Sequence, residues 1–306
     1  MNGFGVSPET VTDPATDAFI AHRSLLFTVA YEILGSAADA EDVLQETWLR
    51  WTGVNLDQVL DQRAYLIRIT SRQALNRLRG QQRRRETYVG PWLPEPLVTA
   101  PDVADDVELA ESVSMALMLV LETLSPTERA VFVLREVFDV GYDEIAAAVD
   151  KSAAAVRQIA HRARQHVDAR RPRAAASKKT AQAALEAFQR AIETADLQAL
   201  LDVLAPDAVL LSDGGGIKQA ATHPVVGGDR VGRFLLGGIA KTGVSGVAIT
   251  MEPVLVNGHP ALLMRLDGEI DGTMSICLED DRITGLYYVR NPDKLTRVTS
   301  PTPIVR

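Results

Sequence analysis

A single cysteine, Cys277, is all that the 306 residues contain, so no internal disulfide can form. That scarcity predicts a reducing cytosol, and the apolar run around the thiol (SICL) predicts a core position for it. No apolar stretch approaches the roughly 20 residues of a membrane helix. The start, MNGFGVSPETVTDPATD, lacks both a basic n-region and an apolar h-region, so a soluble cytoplasmic protein without a signal peptide is expected. None of the five histidines pairs with another at metal-ligand spacing, so neither a metal nor a cofactor is expected. The most informative absence is local. Between Arg63 and Arg85 there is no acid, although the whole chain carries a net charge of -8.

That acid-free stretch holds eight arginines. On a helix, Arg68, Arg72, Asn76, Arg79 and Arg83 recur at steps of four, four, three and four and share one face. Leu66, Ile69/Thr70, Gln73/Ala74 and Leu78 form a second, partly apolar stripe able to dock on other helices. With no interspersed acids to make ordinary i,i+4 pairs, the arginine face points to a polyanion. A second basic island spans 152–179, with eight cations against Asp168 alone. From 180 onward acids outnumber cations by 15 to 11. The overall acidity should confine nucleic-acid binding to the two islands.

In order, residues 1–16 read as a flexible arm. A helix follows over Asp17–Leu34, closed at Gly35-Ser36. Residues 37–51 form an amphipathic helix with Ala40, Val43/Leu44, Thr47 and Trp51 inward. Its outward face carries Asp39, Glu41, Asp42, Gln45, Glu46 and Arg50, acidic first and basic last, as the helix dipole favours. Residues 90–106, including WLPEP (Trp92–Pro96), read as a linker, and Val107–Leu121 as a helix. Ser125, Pro126 and Glu128 form a capping-box helix start. A short helix YDEIAAAVD, a tight connection at Asp150-Lys151 and a longer basic helix give a helix-turn-helix pattern without the usual turn glycine. Ala146, Val149, Val156 and Ile159 are placed to form its core. After a second linker (170–179) the texture changes to a helix pair, five short β-type runs and one helix, an α+β domain with a curved antiparallel sheet over 180–295. Residues 296–306 read as a polar tail.

Three blocks in this order, DAEDVLQETWLRW (39–51), AYLIRITSRQALNRLR (64–79) and LSPTERAVFVLREVF…RARQ (124–165), resemble the two conserved domains of bacterial extracytoplasmic-function (ECF) sigma factors. Residues 180–295 resemble a SnoaL-like cone. WLPEP, DGGG (213–216) and NPDKL (291–295) are similar to signatures of the SigJ-like subfamily, which carries such an extension. The resemblance implies two all-α sigma domains followed by the α+β cone. Residues 17–89 would be the first sigma domain, with Asp39–Arg50 docking on the β′ clamp coiled coil of core RNA polymerase, the β subunit also being a partner. Arg68, Arg72, Gln73, Asn76, Arg79 and Arg83 would hold melted minus-ten promoter DNA. Residues 107–169 would be the second, reading the minus-thirty-five element through Ser152, Ala154, Ala155, Arg157 and Gln158, with Arg162 and Arg164 on phosphates. Trp92, Pro94, Glu95, Asp213, Gly214, Gly215, Asn291, Asp293 and Lys294 would form regulatory contacts between extension and sigma core. One departure is that Ile217, then Lys218, follows DGGG where the subfamily has lysine at once.

Two other readings compete. A one-component helix-turn-helix regulator with a ligand-binding cone would leave the arginine face without a role. A SnoaL-like enzyme would use Asp213 and His223 for acid–base chemistry, yet both stand in turn contexts, which favours structural roles and a protein that is not an enzyme. A small ligand in the C-terminal domain stays an open partner.

Overall fold

A computed structural model describes residues 13–85, 87–171, 177–244 and 246–306, with the side chains of residues 82–85 outside the description. Most of the expected arm, and all that is expected of Arg83's side chain, therefore lie outside the described residues. The arm's last residues are already helical: α1 (Pro14–Leu34) begins on a proline at its first turn and ends at Gly35, whose φ of 71° lets its N–H reach the Tyr31 carbonyl. α2 (Ala37–Trp51) is capped by Ser36, whose hydroxyl accepts from the Asp39 N–H. α3 (Gln62–Arg85) is the basic helix. The inward residues of α2 are buried as their spacing requires, and Leu66, Thr70, Ala74 and Leu78 bury the docking stripe of α3.

The linker contains a short helix, α4 (Pro101–Asp105). The single helix expected over Val107–Leu121 is two, α5 (Val107–Val113) and α6 (Met115–Glu122). Ser114 turns extended between them and its hydroxyl caps α6 through the Leu117 N–H. α7 (Pro126–Phe132) carries the full capping box and runs on into a π turn, Val133–Val137. α8 (Tyr142–Val149) and α9 (Ala153–Asp168) are the helix-turn-helix. Asp150, with φ 57°, takes the left-handed turn position where glycine was missed; aspartate tolerates it because its short side chain bonds locally. Ala146, Val149, Val156 and Ile159 are buried there. One apolar core joins α1–α3 to α5–α9.

The C-terminal domain opens with α10 (Lys178–Glu193) and α11 (Leu197–Val203), then β1 (Leu204–Asp213), β2 (Val225–Val226), α12 (Gly228–Val244), β3 (Ile249–Val256), β4 (His259–Leu266), β5 (Glu269–Glu279) and β6 (Arg282–Val289). The sheet order is β2-β1-β6-β5-β4-β3. The expectation of an antiparallel sheet needs correcting: β1 and β6 run parallel. Between them the chain makes a long excursion through α12 and the β3–β5 meander, which lets β6 return in the same direction as β1. One face of the sheet packs under α10–α12 around Phe188, Leu210, Val231 and Leu286. The other packs against the first half of the chain: Leu263, Val289 and Leu295 share a core with Leu93 of the linker and Met115 of α6.

The linker is stitched in by its backbone. Thr99 N–H donates to Leu255 O (2.9 Å), Asn257 N–H to Leu97 O (2.8 Å) and Thr302 N–H to Val98 O (2.8 Å). The expected polar tail is thus a packed segment, with Val298 and Ile304 buried. Ile304 enters the helical core and the Val305 N–H donates to Thr28 Oγ1. Three apolar residues, Val298, Ile304 and Val305, spread among prolines are too few to show a period.

Candidate nucleic-acid interface

α3 presents Arg68, Arg72, Asn76 and Arg79 exposed, on the face their spacing predicts. Arg68 lies over the Tyr65 ring at 4.5 Å, which fixes its guanidinium without neutralising it. Arg79 Nη2 donates to Thr127 Oγ1 at 3.3 Å. Gln73, expected on the binding face, is only 8% exposed, and its carboxamide turns to the Arg50 guanidinium. Tyr65, Arg68, Arg72 and Gln73 open into a cleft of about 330 Å³ that Ala147 of α8 closes on the far side.

The acidic face of α2 is neutralised from inside. Arg77 of α3 donates to Asp39 Oδ1 (2.6 Å) and to Asp42, and lies 3.6 Å from Glu46 Oε1. Gln81 takes the second Asp39 oxygen at 2.6 Å. Glu41 pairs with Arg23 (2.6 Å) and Arg297 (3.3 Å). Asp42, Gln45, Glu46 and Arg50 remain exposed. Arg77 thus belongs to the acidic surface, a partnership no stretch of sequence shows.

On α9, Ala154, Arg157, Gln158, Arg162 and Arg164 are exposed and Ala155 half-buried. Ser152 spends its hydroxyl on the cap, accepting from the Ala155 N–H at 3.2 Å. Arg157 lies 5.4 Å from the Tyr142 ring. Arg164 is held bidentately by Glu136 (3.0 and 2.6 Å), which raises its pKa. A phosphate must compete with that carboxylate.

The WLPEP, DGGG and NPDKL segments, remote in sequence, meet at Asp213, which has no exposure. Its Oδ1 accepts from Tyr88 OH (2.7 Å) and Gly215 N–H (3.0 Å), its Oδ2 from Leu93 N–H (2.9 Å) and Lys294 Nζ (2.8 Å). Lys294 Nζ also donates to Leu93 O and sits 4.0 Å over the Trp92 ring. Burial, then the Asp213 carboxylate, pushes the Tyr88 phenol above its ordinary pKa. Asn291 Nδ2 donates to Tyr88 OH. Gly215 stands at φ 62°, and a Cβ there would collide with Asn291. Pro94, Glu95 and Gly214 are buried, Trp92 is half-buried, and Asp293 is exposed. Asp213 is therefore committed to bracing, and His223 is exposed and bonded to Thr222, so the acid–base pair considered from sequence is not formed. Ile217 is exposed, while Lys218 Nζ lies 3.4 Å from Asp271 Oδ1.

A second junction escaped the sequence reading. Asn257, at φ 54° in the β3–β4 turn, donates to Tyr31 OH (2.8 Å) and Val113 O (2.7 Å) and accepts from Leu97 N–H (2.8 Å). Glu95 Oε2 accepts from the N–H groups of Ala37 and Ala38 and from Ser36 Oγ, at the start of α2. Nearby, the buried Arg129 donates Nε to Glu32 O at 2.9 Å and Nη1 to Glu122. Burial lowers the Arg129 pKa to about 9 and raises that of Glu32 to about 8. The only local signal was Asn-Gly, read as a turn.

A helix-turn-helix joined to a second helical unit with an arginine face is the arrangement of a nucleic-acid-binding protein. Residues 18–84 match the family described as Sigma-70 region 2, and residues 114–167 match Sigma-70, region 4. Over 290 residues the chain is 38% identical to the ECF RNA polymerase sigma factor SigJ of Mycobacterium tuberculosis (strain ATCC 25618 / H37Rv), covering 91% of this chain and 92% of that protein. It is 33% identical over 286 residues to the probable ECF RNA polymerase sigma factor SigI of Mycobacterium tuberculosis (strain CDC 1551 / Oshkosh), covering 92% and 95%. The crystal structure of Mycobacterium tuberculosis extracytoplasmic function sigma factor SigJ is similar with a TM-score of 0.74 and 34% identity, over 92% of this chain and 98% of that one. The chain belongs to the ECF sigma factors of RNA polymerase. Core polymerase and promoter DNA are the partners of a sigma factor. Among the described residues, no helix is long and apolar enough to cross a membrane.

Proposed function

We propose that this sigma factor, acting in the cytoplasm, divides its work among the units 17–89, 107–169 and 180–295, joined by linkers 90–106 and 170–179. The exposed part of the acidic α2 face, Asp42, Gln45, Glu46 and Arg50, docks on the β′ clamp coiled coil, with the β subunit as a further contact. Arg68, Arg72, Asn76 and Arg79 hold the melted minus-ten strand, since guanidinium groups pair with phosphate and stack on bases. Arg157 and Gln158 read the minus-thirty-five element. The C-terminal domain, with the packed segment 296–306, modulates activity in cis. What carries this last reading is Asp213, a C-terminal carboxylate that grips Tyr88 and Leu93 of the first half. Tethering keeps even a weak contact mostly formed.

In vitro transcription with core polymerase tests the division. Replacing Arg68, Arg72 and Arg79 by Ala should leave core binding intact and abolish permanganate-reactive thymines at the promoter. Normal melting would remove α3 from the minus-ten role. Asp213→Ala should change transcript yield while core capture persists. Unchanged yield would sink the cis reading.

A further inference from the structure

The sheet face that does not meet the sigma half encloses, under α10 and α12, a cavity of about 530 Å³. That volume falls within the range of small-molecule sites, roughly 300–1,000 Å³. Its floor is apolar: Phe188 and Met274 are buried, and Met251 and Met264 complete the walls. Three of the chain's six methionines therefore line one cavity, which suits a wall that adapts to an apolar guest.

The polar groups divide between depth and mouth. Deep inside, Asp271 is 2% exposed and already saturated. Its Oδ1 accepts from Arg290 Nη2 (2.8 Å) and Lys218 Nζ (3.4 Å), its Oδ2 from Tyr288 OH (2.7 Å) and Arg290 Nε (2.9 Å). Burial works to raise the Asp271 pKa, but these donors outweigh it and hold the carboxylate ionised. Its oxygens have nothing left for a guest, and the Arg290 and Lys218 cations beside it are already engaged by it. The mouth carries two further cations. Arg233 and Lys241 of α12 line it, spaced four residues either side of Gly237. The Arg233 partner Asp229 is exposed on the same helix, and such surface pairs hold weakly, so an incoming anion can displace it.

The wall between these cations is bare backbone. Gly237 and Gly238 both line the cavity, and a Cβ on either meets nothing within 4 Å. Two glycines inside a helix cost it stability, each about 1 kcal/mol against alanine, with no turn or close approach requiring them. Their effect is to keep open the space that side chains would fill.

We propose that this cavity binds one apolar monocarboxylate per chain, its hydrocarbon body among Phe188 and the methionines and its carboxylate at the mouth between Arg233 and Lys241. The site does not depend on the polymerase assignments, and binding alone tests it. Calorimetric titration of the full chain with decanoate, 1-naphthoate and 1-decanol supplies the probes, the first two separating a flexible from a planar body. At least one acid should bind saturably at one per chain, about tenfold or more tighter than decanol. Arg233→Gln with Lys241→Gln should erase that advantage. Gly238→Leu should abolish binding while the thermal midpoint holds or rises, since the added side chain enters empty space in a helix. No saturable binding by either acid, equal affinity for acid and alcohol, or binding undiminished in Gly238→Leu would each overturn the proposal.

Discussion

Asp213 illustrates how much one side chain can hold. Its four donors come from three stretches of chain, the Lys294 ammonium among them. Asp213→Asn keeps the shape but removes the negative charge that faces this ammonium. Loss of a partner from such a pair costs about 3–5 kcal/mol. Urea denaturation should show a loss at the lower end, because the amide still accepts hydrogen bonds. Amide exchange at Leu93 should quicken with it, and unaltered exchange would mean the brace is idle. Glu32 gives a pH test. As a buried acid with its pKa raised to about 8, it binds its proton more tightly folded than unfolded. Its contribution is fully present below the unfolded value and declines as pH rises through about 8, by roughly 1.4 kcal/mol per unit in between. Glu32→Gln should match the parent near pH 5 and exceed it in thermal stability near pH 8. Parallel pH profiles for the two would refute the assignment.

At the level of elements, the proposed roles of α9 divide into base reading and phosphate contact. Arg157→Ala should relax base preference at one position by about 1–3 kcal/mol, measured by competition binding of promoter variants by holoenzyme. Arg164→Ala should weaken all sequences alike and flatten the salt dependence. The Glu136 clamp adds a twist: Glu136→Gln should strengthen binding to every sequence, because it releases that arginine. Equal losses across sequences for Arg157→Ala and Arg164→Ala would move the reading end elsewhere. These helices were legible because helical period, caps and turn residues are local: Ser125–Glu128 and the buried quartet of the helix-turn-helix stand where the sequence puts them. The strands were legible as runs, whereas the parallel β1–β6 pairing was not, since pairing direction depends on the route between strands. Arg77's capture by Asp39 and Asp42, the Asn257 junction and the packed tail were equally hidden. Each joins residues whose own neighbourhoods carry no sign of the partner.

Across the whole molecule, the arginine face of α3 opens into a cleft whose far wall is α8. On the proposed minus-ten role a melted strand would need that wall withdrawn, and the linker that would have to give is bonded to both the β3–β4 hairpin and the C-terminal segment. Trp92→Ala with Lys294→Ala should therefore increase the radius of gyration measured by small-angle scattering, and an unchanged profile would separate the brace from the closure. The same stitching has a consequence in time. Leu93 waits for Lys294, 201 residues further along, and Thr99 for Gly258, 159 further along. At roughly 5–20 residues per second on the ribosome, the helical half spends on the order of ten seconds or more emerged but unbraced. A newborn chain thus passes through an interval in which Leu93 and Thr99 still lack the C-terminal partners they have in the finished protein, and a polymerase that meets it then encounters a looser protein than the finished one.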